Sequence, residues 1–302
     1  MHIPQELLAG SICPVTAALS GLCLAGAAFA AHRSREKPEA LRFAAVSALI
    51  FAAQMMNFPI SGGTSGHLLG GVLASALLGV PFGVLALALV VTIQAVVFAD
   101  GGLTVLGANV LNMAIIGAGL GGLLRWWLLE KLPATRFNGW LCTAIASWLS
   151  IVLAALACSI ELALNGVLPF GTVAPAMLGV HAVIGVGEAA ITCLALALFA
   201  SPTREIIPTS RSFTAPALTA LLIALCLSPF ASPLPDGLEA VMQQFQVLHE
   251  AAPLFVTPLA DYQVAGIASE ALSTSLAGVI GVLLTFLIAG SLALPLTRAR
   301  SA

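Results

Sequence analysis

Apolar runs recur along the chain near 11–31, 41–58, 67–80, 82–99, 105–128, 140–164, 176–200, 214–231 and 276–296. A helix needs about 20 mostly apolar residues to cross a bilayer core. The third run is short, and Pro81 separates it from the fourth. The pattern predicts an all-α polytopic membrane protein of about nine transmembrane helices. One shift breaks it: from Ser232 to about Ser275 the chain turns polar and loop-like. Inside that stretch, "PDGLEAVMQQFQVLHE" sets Asp236 three residues before Glu239, a capping-box spacing with Asp as N-cap. Leu238, Val241, Met242, Phe245 and Leu248 follow at helical spacing. This predicts a short amphipathic helix lying on the outer membrane face or on the rest of the protein.

Charge gives the pattern a direction. The chain is 60% hydrophobic and 8% charged, against about 25% charged in soluble domains. Nine crossings with the N-terminus outside put Arg33, Arg35, Lys37 and Arg42 in the first inside region. Arg125, Lys131 and Arg136 surround the next charged inside loop, Arg204 and Arg211 the one after, and Arg298 and Arg300 lie on the tail. All 11 basic residues then face the cytoplasm, as the positive-inside rule requires. Glu6, Asp100, Asp236, Glu239, Glu250 and Asp261 fall on outside segments. The expected topology is N-terminus outside, C-terminus cytoplasmic, with 232–275 as an extracytoplasmic loop domain. "AAFAAH" at 27–32 looks like a leader cleavage site, but no Lys or Arg precedes it and the apolar run is too long.

Several chemistries are excluded. A net charge of −2 gives nucleic acid no electrostatic footing. "GAGLGG" at 117–122 matches a dinucleotide fingerprint formally, but it lies within an apolar span with no strand before it. It reads as a small-residue packing face. The sequence contains no HExxH, Walker A or GxSxG motif, so the chain is not expected to be an enzyme or to carry its own ATPase. The six cysteines form no CxxC pair and read as small packing residues.

The histidines carry the candidate chemistry. His32 sits in a cytoplasmic basic stretch and reads as a solvated flank, while His2, His67, His181 and His249 fall on or near the outer side. The Met1 amine and His2 amide nitrogen close one chelate ring on a metal. The same amide and His2 Nδ1 close a second, so three nitrogens occupy adjacent corners of a plane. His67, which this reading places at the outer end of the third helix after "NFPISGGTSG", can supply the fourth. Such a plane suits Ni²⁺, Cu²⁺ or low-spin Co²⁺, whereas Zn²⁺ prefers a tetrahedron. The plain alternative is that His2 is incidental and His67 caps a helix. The five glycines of "GGTSGHLLGG" serve either a close backbone approach or a packing turn.

His181 and Glu188 are seven apart on one helix and share a face. They serve either as second shell or ion path, or as hydrogen bonds holding the bundle. Asn109 and Asn112 in "GANVLNMAIIG" have the same two readings.

"MHIP", "NFPISGGTSGHLLGG", "GANVLNMAIIG" and "GVHAVIGVGEAAIT" resemble the M-type substrate-binding (S) component of cobalt/nickel energy-coupling factor (ECF) transporters, the CbiM/NikM family. The resemblance implies that Met1, His2 and His67 hold the metal. "SPLPDGLEAV" through "GVLLTFLIAG" is similar to the N-type accessory subunit, the PDGLE domain. The chain then divides into an M-type domain, 1–212, of about seven helices and an accessory domain, 213–302, of two helices around the 232–275 loop. The implied activity is uptake of Ni²⁺ or Co²⁺ across the cell (inner) membrane, with no resident cofactor. The implied partners are a T-type transmembrane coupling protein and two cytoplasmic ATPase subunits. Two other classes compete: a stand-alone secondary transporter or channel using His181 and Glu188 as a relay, and a metal-binding membrane receptor or assembly factor that does not transport.

Overall fold

The computed structural model describes residues 2–60, 62–199, 212–248 and 257–297. Met1, Arg204, Arg211, His249, Glu250, Arg298 and Arg300 lie outside the described residues. The chain runs α1 Ile12–Arg33, α2 Ala40–Gln54, strands β1 Asn57–Ile60 and β2 Thr64–His67, α3 Gly71–Leu78 and α4 Val80–Val97. It continues through α5 Leu106–Lys131, α6 Arg136–Leu164, α7 Phe170–Phe199, α8 Thr214–Phe230, α9 Gly237–Gln244 and α10 Glu270–Thr297. Among the described residues, α1, α4, α5, α6, α7 and α10 are the 6 helices long and apolar enough to cross a membrane. Leu22, Phe29, Leu164, Leu194 and Leu287 stay exposed on these helices, as a lipid-facing surface requires. This is a helical, multi-pass membrane protein.

Against the expected nine full-length crossings, α2 and α8 are shorter and α3 has only 8 residues. At 1.5 Å per residue α3 alone covers about 12 Å. The 67–80 run is divided differently from the sequence reading. His67 ends a strand, and the helix begins only at Gly71. Antiparallel pairing sets Asn57 opposite His67 and Ile60 opposite Thr64. Gly62 and Gly63 take the left-handed φ values, +80° and +74°, that the turn demands.

The bundle has two distinct ends. One gathers the N-terminal arm, the hairpin and the segments after α4, α6 and α8. Asn165 ties α6 to the arm through Leu7 and Ala9, and Ser232 N–H donates to Asn57 O at 2.8 Å. The other end is basic. Arg42 Nε donates to Leu77 O at 3.3 Å, and Arg125 Nε to Thr143 Oγ1 at 3.0 Å. Ser34, Arg35 and Glu36 share a pocket there with Gly79 and Trp126. The described Lys and Arg residues lie toward this end.

"GAGLGG" is helical, as the packing reading requires. A Cβ on Gly71 would meet the Gly117 backbone at 2.4 Å, so α3 lies directly against α5. This contact falls in the π-helical stretch of α5, Val110–Leu120.

The expected amphipathic helix is α9. Asp236 accepts from Leu238 and Glu239 N–H at 2.8 and 2.9 Å, and the Glu239 carboxylate accepts from Asp236 N–H at 3.0 Å. The capping box is complete. Of the two locations allowed for α9, the protein itself is the correct one. Leu238, Val241 and Met242 pack with Ile3, Leu7, Leu8, Cys158 and Met177. Asp236→Ala removes the cap and should cost about 1 kcal/mol. Hydrogen exchange faster across 237–244 than across α6 is the expected readout.

Candidate metal site

The arm is anchored before any metal is considered. Ile3 N–H donates to Asn109 Oδ1 at 2.7 Å, and Asn109 Nδ2 donates back to Ile3 O at 3.1 Å. Ile3 is fully buried, so this pair satisfies backbone groups that water cannot reach. Asn109→Leu leaves both groups unpaired, at a cost of about 2 kcal/mol. Expressed in the docking of the arm, that is a loss of metal affinity of about 30-fold, measurable by calorimetry on the purified chain.

The clamp brings His2 beside His67. The ring centroids are 5.6 Å apart, with planes 12° from parallel. His2 Nδ1 lies 3.2 Å from Asp100 Oδ1, and Nε2 lies 3.1 Å from Gln94 Oε1. Burial lowers the His2 pKa to about 4, although Asp100 opposes the shift. The ring is therefore neutral near pH 7. His67 Nδ1–H donates to Leu68 O at 3.1 Å, and Nε2 lies 3.7 Å from Asp236 Oδ2.

The 234–237 segment closes over this pair. Ser65 N–H and Ser65 Oγ–H donate to Pro235 O and Leu234 O, each at 2.8 Å. Gly237 rests on His181, where a Cβ would approach Nε2 to 3.1 Å. Farther along the same accessory part, Tyr262 O–H donates to Asp100 Oδ2 at 2.6 Å. Asp236 therefore faces His67, while Tyr262 reaches His2 through Asp100. Tyr262→Phe should alter metal affinity with little change in melting temperature; an unchanged titration in the variant would exclude this coupling.

The remaining candidates separate. Glu188 accepts from Leu69 and Gly70 N–H at 2.7 and 2.9 Å. Both its oxygens hold the turn after His67, which favours the bundle-holding reading and binds that turn to α7. His181 Nδ1–H donates to Met177 O at 2.8 Å. No contact joins His181 to Glu188 among the described residues. Asn112 Nδ2 donates to Glu161 Oε2 at 2.7 Å, away from both histidines. Gln94, Asp100 and Tyr262 escaped the sequence reading, because nothing in their local spacing links them to position 2. Glu161 escaped it too, although a carboxylate within an apolar span was a usable signal. Among the described residues, no group of three or more His, Cys, Asp and Glu is placed to hold a metal ion.

Comparison with known proteins agrees with this architecture. The family model for the cobalt uptake substrate-specific transmembrane region matches residues 2–206, and that for the PDGLE domain matches 210–298. A putative fused nickel transport protein of Archaeoglobus fulgidus is 36% identical over 290 residues, 94% of this chain and 95% of that one. A probable fused nickel transport protein of Lactiplantibacillus plantarum is 32% identical over 251 residues, 76% of this chain and 74% of the other. A crystal structure described as a transition metal transporter superposes with a TM-score of 0.57 at 35% identity, covering 65% of this chain and 91% of that one. The chain belongs to the family of cobalt uptake substrate-specific transmembrane proteins, here continued by a PDGLE domain.

Proposed function

We propose that this chain captures Ni²⁺ or Co²⁺ at the outer face of the cell membrane and delivers it inward as the substrate-binding component of an ECF-type transporter. The observation that carries the reading is the 5.6 Å approach of His2 and His67, from opposite ends of a 65-residue separation. The ligands are the Met1 amine, the His2 amide and imidazole, and the His67 imidazole. A deprotonated amide in a plane of nitrogens suits Ni²⁺, Cu²⁺ or low-spin Co²⁺. With His67 Nδ1 hydrogen-bonded to Leu68 O, Nε2 is the nitrogen this reading assigns to the metal. Asp100 Oδ1 lies 3.2 Å from His2 Nδ1, the nitrogen this reading assigns to the ion.

The end bearing the histidines faces outward and the basic end inward, as the positive-inside rule directs. α2, α3 and α8 complete the crossings begun by the six longer helices. α3 does so together with residues 68–70, because its end meets Arg42 at the basic side. A T-type coupling protein and two cytoplasmic ATPases supply the energy. The relay reading through His181 and Glu188 loses ground, since both Glu188 oxygens already accept backbone hydrogen bonds.

The test is uptake of radioactive Ni²⁺ and Co²⁺ into vesicles holding this chain, with and without the coupling protein and ATPases. Uptake only in the full assembly, lost in His2→Ala and His67→Ala, is expected. ATPase-independent uptake that follows a proton gradient would overturn the proposal.

A further inference from the structure

Both ring nitrogens of His2 are held from one turn of chain. Nε2–H donates to Gln94 Oε1 at 3.1 Å, and Nδ1 lies 3.2 Å from Asp100 Oδ1. Gln94 sits in α4, three residues before its last, and is fully buried. The turn that follows brings Asp100 back beside it. Gln94 O accepts from Phe98 N–H at 3.0 Å and from Asp100 N–H at 3.1 Å. Ala99, between those two, takes a left-handed φ of +56°, which a residue with a Cβ adopts at a cost. Strain of this kind collects where the surroundings over-determine it, often at functional sites. Gly101 continues with φ +91°, and a Cβ there would meet Asn109 Nδ2 at 2.7 Å and His2 Cβ at 3.6 Å. The turn therefore rests on both His2 and the Asn109 clamp.

The two ring contacts are not equivalent. Nδ1 is the nitrogen that closes the six-membered chelate ring in the capture reading. Nε2 is the nitrogen left over, so Gln94 can hold the ring with an ion in place. The chelate ring shares the Cγ–Nδ1 bond, so the imidazole must lie close to the coordination plane. Rotation about Cβ–Cγ swings Nδ1 out of that plane. The hydrogen bond to Gln94 opposes this rotation, and the His2 and His67 planes stand 12° from parallel. A preorganised site needs its ligands held to within about 10–20° of the productive geometry.

We propose that Gln94 is a positioning residue that selects the metal: by fixing the His2 ring plane it favours ions that take four nitrogens in a plane, and it disfavours Zn²⁺. The proposal rests on the reading that His2 Nδ1 binds the ion. Zn²⁺ has no electronic preference for a plane and settles in a tetrahedron, so a freely turning ring suits it as well as a fixed one. Ni²⁺ gains from the plane. Hydrogen bonds that orient a ligating histidine are worth about 10–100-fold in metal affinity.

Separate Ni²⁺ and Zn²⁺ competition titrations on the purified full chain in detergent, with the Ni²⁺ absorption spectrum, test this. Gln94→Leu keeps the bulk of the side chain and removes the acceptor. It should weaken Ni²⁺ binding about 10–100-fold and Zn²⁺ binding by less than about threefold, and the absorption band of planar, low-spin Ni²⁺ should fade. Gln94→Asn draws the acceptor back by one methylene and should act in the same direction, which serves if the leucine variant does not fold. Equal losses for the two metals, in step with melting temperature, would mean that Gln94 only holds the fold. Unchanged Ni²⁺ affinity and spectrum in a folded variant would mean that it does not set the ring. Either result overturns the proposal. A wild-type chain that binds Ni²⁺ without the planar low-spin band, or a His2→Ala chain with wild-type Ni²⁺ affinity, would refute the capture reading itself and the proposal with it.

Discussion

One glycine added before Met1 should abolish metal capture while leaving the protein folded. The added residue turns the terminal amine into a peptide nitrogen, and the new amine lies one residue too far along the chain. Two donors of the proposed plane are affected together, because the His2 amide binds through the ring it closes with that amine. A loss of about three orders of magnitude, roughly 4 kcal/mol, is expected. The enclosed geometry sharpens the effect, since His2 and Ile3 are buried and the 234–237 segment lies over the hairpin beside them. Acetylation of the amine should have the same effect with a smaller steric change, which separates the chemical cause from crowding. Melting behaviour should barely move, because the Asn109–Ile3 clamp involves no atom of the terminus. Normal Ni²⁺ and Co²⁺ titrations with the extended chain would end the chelate model. His67→Ala should cost a comparable amount, since the fourth corner would then be left to solvent.

How much of this was legible depended on the range of each interaction. The gathering of the described basic residues at one end of the bundle was readable because they are few and grouped near helix ends. The α9 cap was readable because Asp236 and Glu239 form it within four residues. The hairpin was not read, although glycines between Phe58–Ile60 and Thr64 are a hairpin signal. The surrounding apolar run drew the helix start forward to His67. The true start is Gly71, where the Glu188 carboxylate holds the turn from 119 and 118 residues away. No spacing rule reaches that far. The same limit hid Asp100, Gln94 and Tyr262, whose contacts with the arm and with each other depend wholly on tertiary packing. Glu188 and Asn109 were read as polar groups with a choice of roles. Their partners show what each one holds: Glu188 the turn at Leu69 and Gly70, and Asn109 the backbone of Ile3.

Apparent affinity should fall about 100-fold for each pH unit from roughly 8 down to about 7, and about tenfold per unit above 8. The slope counts the protons that the metal displaces. The α-amine, with an ordinary pKa near 8, gives up one on binding whenever it is charged. The His2 amide gives up one at every accessible pH, so two protons leave between about pH 7 and 8 and one above. An exposed imidazole would add a third below about 6.5. His2 does not behave as an exposed imidazole, because burial lowers its pKa to about 4 despite the opposing charge of Asp100. Its contribution to the slope should therefore be absent from pH 6.5 down to about 4. The same shift has a consequence for the fold without metal. A histidine with a depressed folded pKa binds fewer protons folded than unfolded, so its stabilisation is complete above about 6.5 and is lost as pH falls toward 4. Metal titrations in competing chelator across pH 5.5–9.5 measure the slope. A single-proton slope below pH 8 would exclude the deprotonated amide from the coordination plane.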